Sequence, residues 1–68
     1  MKIKYFEDTD TALLEFTMHQ VSETQEISEN VYIDLDHDGN LVSMTIEHAG
    51  EKANILDFAF ERAKKFSA

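Results

Sequence analysis

The run Asp34-Leu35-Asp36-His37-Asp38-Gly39 is the stretch whose residue types and spacing most suggest chemistry. It sets oxygen ligands at positions one, three and five of a calcium-type loop, with the glycine that such a loop needs at six. Position twelve, where a bidentate Glu belongs, is Thr45. The flanking residues alternate as strands do, whereas that loop sits between helices, so Asp38-Gly39 reads as a two-residue hairpin turn. What stays open is a small-ligand or divalent-metal site using Asp34, Asp36 and Asp38, with His37 between them. His19 and His48 lack the paired spacing of common metal sites.

Other chemistries find less support. The hairpin register sets Asp34 across from Ser43 with Tyr32 and Thr45 as the next pair, and no His joins them to complete a nucleophile and base. A cross-strand hydrogen bond between Asp34 and Ser43 is the expectation. Gly39 and Gly50 are the only glycines, so a glycine-rich phosphate loop is ruled out. The sequence assigns no catalytic residue and no cofactor, and a non-enzymatic protein is expected. Glu47 ends the last strand on the outer face, where with Asp34 and Asp36 it would form an acidic strip bounding a groove.

These residues must be positioned by a small scaffold. Ile3 and Tyr5, then Ala12, Leu14, Phe16 and Met18, repeat at period two and mark two strands. A turn about Asp8 and Thr9 sets Tyr5 opposite Ala12, Ile3 opposite Leu14, and Lys2 opposite Glu15. Residues 21–27 carry Glu23, Thr24, Gln25 and Glu26 and are expected to form a polar edge strand, followed by a turn or bulge at Ser28-Glu29-Asn30. Val31, Ile33 and Leu35 then form one inward row and Val42, Met44 and Ile46 another. A two-residue loop pairs Leu35 with Val42, Ile33 with Met44 and Val31 with Ile46, while a slip of one residue would turn one strand's apolar set to the wrong face.

Beyond His48 the period changes. Ile55, Leu56, Ala59, Ala63 and Phe66 fall at helical spacing, Phe58 and Phe60 widen the stripe, and the start lies between Gly50 and Asn54. Glu61 precedes Lys65 by four residues, and Arg62, Lys64 and Lys65 suit the last turns of a helix. The expected fold is α+β: an antiparallel β-meander of four to five strands followed by one C-terminal amphipathic helix packed on one sheet face, in a single domain over residues 1–68. The other face would carry Phe6, Leu13, Tyr32 and Leu41, more apolar area than a small monomer leaves in water. A symmetric homodimer is therefore expected, using that face or the rim of the helix, where Phe58 and Phe60 cannot both enter one core. The residues expected to carry interaction are Leu13, Tyr32, Asp34, Asp36, Glu47 and Phe60.

Composition narrows the partners. A chain of 68 residues supports one modest core, and without cysteine neither disulfides nor thiolate zinc sites can strengthen it. Six Lys and Arg face fourteen Asp and Glu, giving a formal net charge of −8. That charge repels a phosphate backbone, so nucleic acid is not an expected partner, whereas a basic protein is compatible. Acidic residues follow Lys2 and Lys4 at once, and no apolar run reaches signal-peptide or membrane-spanning length, so a cytoplasmic location without membrane contact is expected.

The opening Met1-Lys2-Ile3-Lys4-Tyr5, the stretch from Asp8 to Leu14, and Val31-Tyr32-Ile33-Asp34-Leu35-Asp36, Asp38-Gly39-Asn40-Leu41-Val42 and Ile46-Glu47 together resemble the small prokaryotic domain-of-unknown-function family 2283. The resemblance covers roughly residues 1 to 49. It implies a bacterial or archaeal stand-alone domain with no established activity. Some members are similar to partners of small toxin-like proteins, which implies an antitoxin-like role toward a basic protein.

Overall fold

Four stretches of the chain have the alternation that a half-buried strand needs, and these four, with a fifth, polar stretch, form one antiparallel sheet. In this computed structural model, which describes residues 1–64, they are β1 (Lys2–Phe6), β2 (Thr11–Glu15), β3 (Glu23–Ser28), β4 (Val31–Leu35) and β5 (Leu41–Glu47), followed by a one-turn helix α1 (Ala49–Lys52). The class is α+β. Among the described residues, no helix is long and apolar enough to cross a membrane.

The β1–β2 hairpin has the register set by its alternation, with Ile3 opposite Leu14 and Tyr5 opposite Ala12. Lys2 is the partner of Glu15, but the ion pair runs diagonally, from Lys4 Nζ to Glu15 Oε1 at 3.1 Å. The strand order is β1-β2-β5-β4-β3, which corrects the expected meander. β3 has no apolar face, since all six of its residues are exposed, and it takes the far edge. β2 instead lies against β5, with Ala12 opposite Ile46 and Leu14 opposite Met44. Apolar residues thus meet apolar residues in the middle of the sheet, and β2, β3, β4 and β5 form a Greek key. Residues 16–22 make the crossing around the end of β4 and β5. They are held there by bonds from the Phe16 and Thr17 N–H groups to the Val42 carbonyl and from the Ser22 N–H to the Leu35 carbonyl.

The β4–β5 hairpin keeps Val31 opposite Ile46 and Ile33 opposite Met44, but Leu35 meets Leu41 rather than Val42 because a bulge intervenes after Asp34. Its loop is His37-Asp38-Gly39, three residues rather than two. The Asp36 N–H donates to the Asn40 carbonyl and the Gly39 N–H to the Asp36 carbonyl. A two-residue loop of the type that Asp-Gly favours needs a positive φ at both central positions, and of this pair only Gly39, at φ 83°, has one.

The expected amphipathic helix is a single turn among the described residues. The turn ends at Ala53, whose N–H donates to the Ala49 carbonyl, and Asn54 then enters the left-handed region at φ 45°. A left-handed residue at that position terminates a helix. Residues 54–64 continue as turn and irregular chain, with Leu56, Phe58 and Phe60 exposed. Lys65 and Phe66 lie outside the described residues.

Period two divides the sheet into two faces. One carries Ile3, Tyr5, Ala12, Leu14, Val31, Ile33, Leu35, Val42, Met44 and Ile46; the other carries Lys2, Lys4, Phe6, Thr11, Leu13, Glu15, Tyr32, Asp34, Ser43, Thr45 and Glu47. Among the described residues, only Ala12, Val42 and Ala49 are buried apolar residues, and no large side chain is fully buried. α1 touches β2 and β5 and leaves most of the apolar face half-exposed.

Candidate functional site

The six residues expected to carry interaction divide among three places. Leu13, Tyr32, Asp34 and Glu47 share the polar face, on β2, β4 and β5. Phe60 lies beyond α1, where it lines a shallow cavity with Met1, Ile3 and Phe58 on the side of the apolar face. Asp36 belongs to neither surface, because its carboxylate is folded into the β4–β5 loop.

Asp36 is the most constrained of the acids. Its Oδ1 accepts the backbone N–H groups of Asp38 at 2.9 Å and Asn40 at 2.8 Å, and its Oδ2 accepts from the Asn40 side-chain amide at 3.3 Å. His19 Nδ1 lies 2.9 Å from the same Oδ2. An ionised carboxylate only accepts, so Nδ1 carries the proton. The His19 bond and then the Asn40 N–H are the main causes that hold the Asp36 carboxyl at about 2, against the opposing effect of its burial. The bond ties the crossing segment to the loop, a contact between residues 17 apart that no spacing in the sequence announces.

Asp34 is engaged differently. Thr24 Oγ1 donates to its Oδ1 and Ser43 Oγ to its Oδ2, both at 2.6 Å, so one carboxylate bridges β3, β4 and β5. The expected bond between Asp34 and Ser43 is present. Asp38 and His37 are exposed in the loop, and the three aspartates direct their carboxylates to different surroundings. Among the described residues, no three His, Asp or Glu side chains are gathered in a geometry suited to a metal ion.

Beside Asp34 on the polar face, Tyr32 of β4 stands opposite Glu26 of β3 on one side and Thr45 of β5 on the other. The negative charge of Glu47 raises the Tyr32 hydroxyl above its ordinary range, with desolvation and Glu26 adding to the effect. Glu26, Tyr32 and Glu47 therefore form an electrostatically coupled strip, with Asp34 next along β4. Sequence reasoning found Tyr32, Asp34 and Glu47 from the strand register, and placed Asp36 with them because alternation alone does not reveal a loop cap.

A second cluster had no sequence signal beyond an acidic turn. Asp10, at φ 53°, receives the Tyr5 hydroxyl on Oδ1 at 2.6 Å and the Gly50 N–H on the same atom at 2.9 Å, while its carbonyl accepts the Ala49 N–H at 2.9 Å. The Tyr5 bond is the main cause that lowers the Asp10 carboxyl and raises the Tyr5 hydroxyl. This clamp fixes α1 to the β1–β2 turn. A Cβ on Gly50 would meet Asp10 Oδ1 at 2.9 Å, so a larger residue there must push the Asp10 carboxylate aside and disturb its bonds to Tyr5 and Gly50.

Comparison with known proteins adds a family and no activity. No curated protein and no solved structure matches the chain. The family model described as protein of unknown function (DUF2283) matches residues 2–49, which hold all five strands with the loop at Asp36, the strip at Tyr32 and Glu47, and the Tyr5 and Asp10 side of the clamp. With 48 of its 68 residues covered by that match, the chain belongs to the DUF2283 family.

Proposed function

We propose that the chain is a small acidic protein-interaction module that associates with itself and holds a basic protein against its polar face. The observation that carries this reading is the unlike character of the two sheet faces. One face is apolar and half-exposed; the other gathers Glu26, Asp34 and Glu47 around Tyr32. A face of the first kind favours a protein surface over water, and a strip of the second kind attracts cationic side chains and speeds their encounter. The hydroxyl and carboxylate groups of the strip also suit the hydrogen-bonding heads of Lys and Arg. An antitoxin-like role toward a small basic protein is one form such a module takes.

A ligand or metal site at Asp34, Asp36 and Asp38 has less support, because Asp34 is bridged to Thr24 and Ser43 while Asp36 caps its own loop.

Titration with an oligolysine peptide, followed through tyrosine fluorescence at several salt concentrations, tests the acidic strip. Binding should weaken as salt rises and drop about tenfold in a Glu26→Gln, Glu47→Gln double variant, corresponding to the loss of about 1–2 kcal/mol of charge interaction. Equal binding by the double variant and the original protein would remove the strip from the proposal.

A further inference from the structure

We infer that the apolar face of the sheet is the surface on which a second copy of this chain packs, face to face about a two-fold axis, with Met44 at the centre of the contact. The inference rests on the self-association proposed above and assigns it a surface; of the two places the sequence suggests, it sets aside the outer face and includes the Phe58 and Phe60 rim, which adjoins Ile3.

The composition of the face is the first argument. Ile3, Leu14, Met44 and Ile33 form one row across β1, β2, β5 and β4, with Tyr5, Ala12, Ile46 and Val31 in the next. No charged side chain stands on this face of those four strands, and Glu23 is confined to the edge at β3. A charge-free centre with polar residues at the rim is the composition of an interface core. The opposite face has Lys4, Glu15, Asp34 and Glu47 interspersed with Phe6, Leu13 and Tyr32, and pairing it with itself would take these charges out of water.

The available area is the second argument. Met1, Phe58 and Phe60 are 72, 55 and 80 % exposed and adjoin Ile3, so they extend the apolar patch past β1. With these three and the half-exposed side chains of the face, the surface available is on the order of 800 Å² per copy, what a standard interface takes from each partner. The described part of the chain leaves this patch open, and because no large side chain among the described residues is fully buried, covering it gains most.

Charge placement is the third argument, and it favours face over edge. Two β1 edges would bring Lys2 and Lys4 against their own copies, and two β3 edges would do the same with Glu23 and Glu26. Face-to-face packing at a sheet separation of about 10 Å instead puts the two polar faces on opposite outer surfaces, well beyond a Debye length of about 8 Å. The repulsion between two copies of charge −8 is then largely screened. Met44 is the midpoint of β5, and β5 is the middle strand of the five, so a two-fold axis through the centre of the sheet brings Met44 near its own copy.

Sedimentation equilibrium on the full chain across a range of concentrations tests this. The original protein should sediment at twice its 7.8 kDa mass. Met44→Lys, checked for retained strand content by circular dichroism, should weaken the dimer roughly a hundredfold, as loss of a central anchor does. Leu13→Lys, on the opposite face, should leave it dimeric. The chain has no native cysteine, so Met44→Cys gives a second reading that does not depend on the stability of a charged variant: mild oxidation should yield a disulfide-linked dimer, and Tyr32→Cys should not. A dimer that survives Met44→Lys but is lost in Leu13→Lys, or one that crosslinks through Tyr32→Cys alone, would overturn the assigned face and leave self-association standing. A monomer at micromolar concentration would remove both.

Discussion

Replacing Val42 by Ala removes two methyl groups from the one buried branched side chain of the sheet, 5 % exposed. At about 0.8 kcal/mol for each buried carbon, the transfer loss is near 1.6 kcal/mol. The site cannot collapse freely, because the Val42 carbonyl is held by the N–H groups of Phe16 and Thr17, so part of the cavity remains and the total rises to about 2 kcal/mol. In a domain of this size each kcal/mol moves the melting temperature by about 4–8 °C, so a fall of roughly 8–16 °C is expected. Urea and thermal denaturation followed by far-ultraviolet circular dichroism, at one fixed protein concentration, should show a lower midpoint with an unchanged urea slope. Val21→Ala in the crossing segment is the control: Val21 is 44 % exposed, and its loss should stay within about 0.5 kcal/mol. Equal losses at the two positions would refute the assignment of Val42 to the core.

Further outcomes follow from the hydrogen-bonded loops. The Asp36 carboxyl sits at about 2 in the folded protein against an ordinary 3.8, so its contribution is fully present above the ordinary value and is lost as pH falls through about 2. Melting curves of the original protein should therefore drop in this acid window, while Asp36→Asn should start lower at neutral pH and respond less to acid. Gly50→Ala should lower the melting temperature by roughly 4–8 °C, because the added Cβ meets Asp10 Oδ1 at 2.9 Å, and Tyr5→Phe should return the Asp10 carboxyl toward its ordinary value in an NMR titration. Gly39→Ala should cost about 1–2 kcal/mol of unfolding free energy in urea titrations through its left-handed φ alone, since no atom lies within 4 Å of the new Cβ, and Gly39→Asn should cost less.

Strand alternation revealed the β1–β2 and β4–β5 hairpins and most of their register, because a one-residue slip would have exposed an apolar row. It could not reveal which strand neighbours which. β2 has apolar residues that suit either a meander or a Greek key, and only the polar sequence Glu23-Thr24-Gln25-Glu26 argues for sending β3 to an edge. The helical spacing of Ile55, Leu56, Ala59 and Ala63 is real, yet a short helix away from a packing surface has little to hold it, and Asn54 in the left-handed region ends the turn before the stripe begins. Of the candidate site, Tyr32, Asp34 and Glu47 were legible as one face. The cap at Asp36 and the clamp at Asp10 were not, since each depends on contacts with His19 or Gly50 that the fold alone brings together.

The strand order also has a consequence for how the protein folds. β1–β2 and β3–β4–β5 each close through short loops, so the two pieces can form locally and early. The ladder between β2 and β5 joins residues about thirty positions apart, so its closure entropy is the largest of the sheet and it is expected to form last. The same ladder runs along Leu14 and Met44, through the middle of the apolar face. Joining the two pieces is therefore also what first creates the continuous apolar surface on which we propose that a second copy packs.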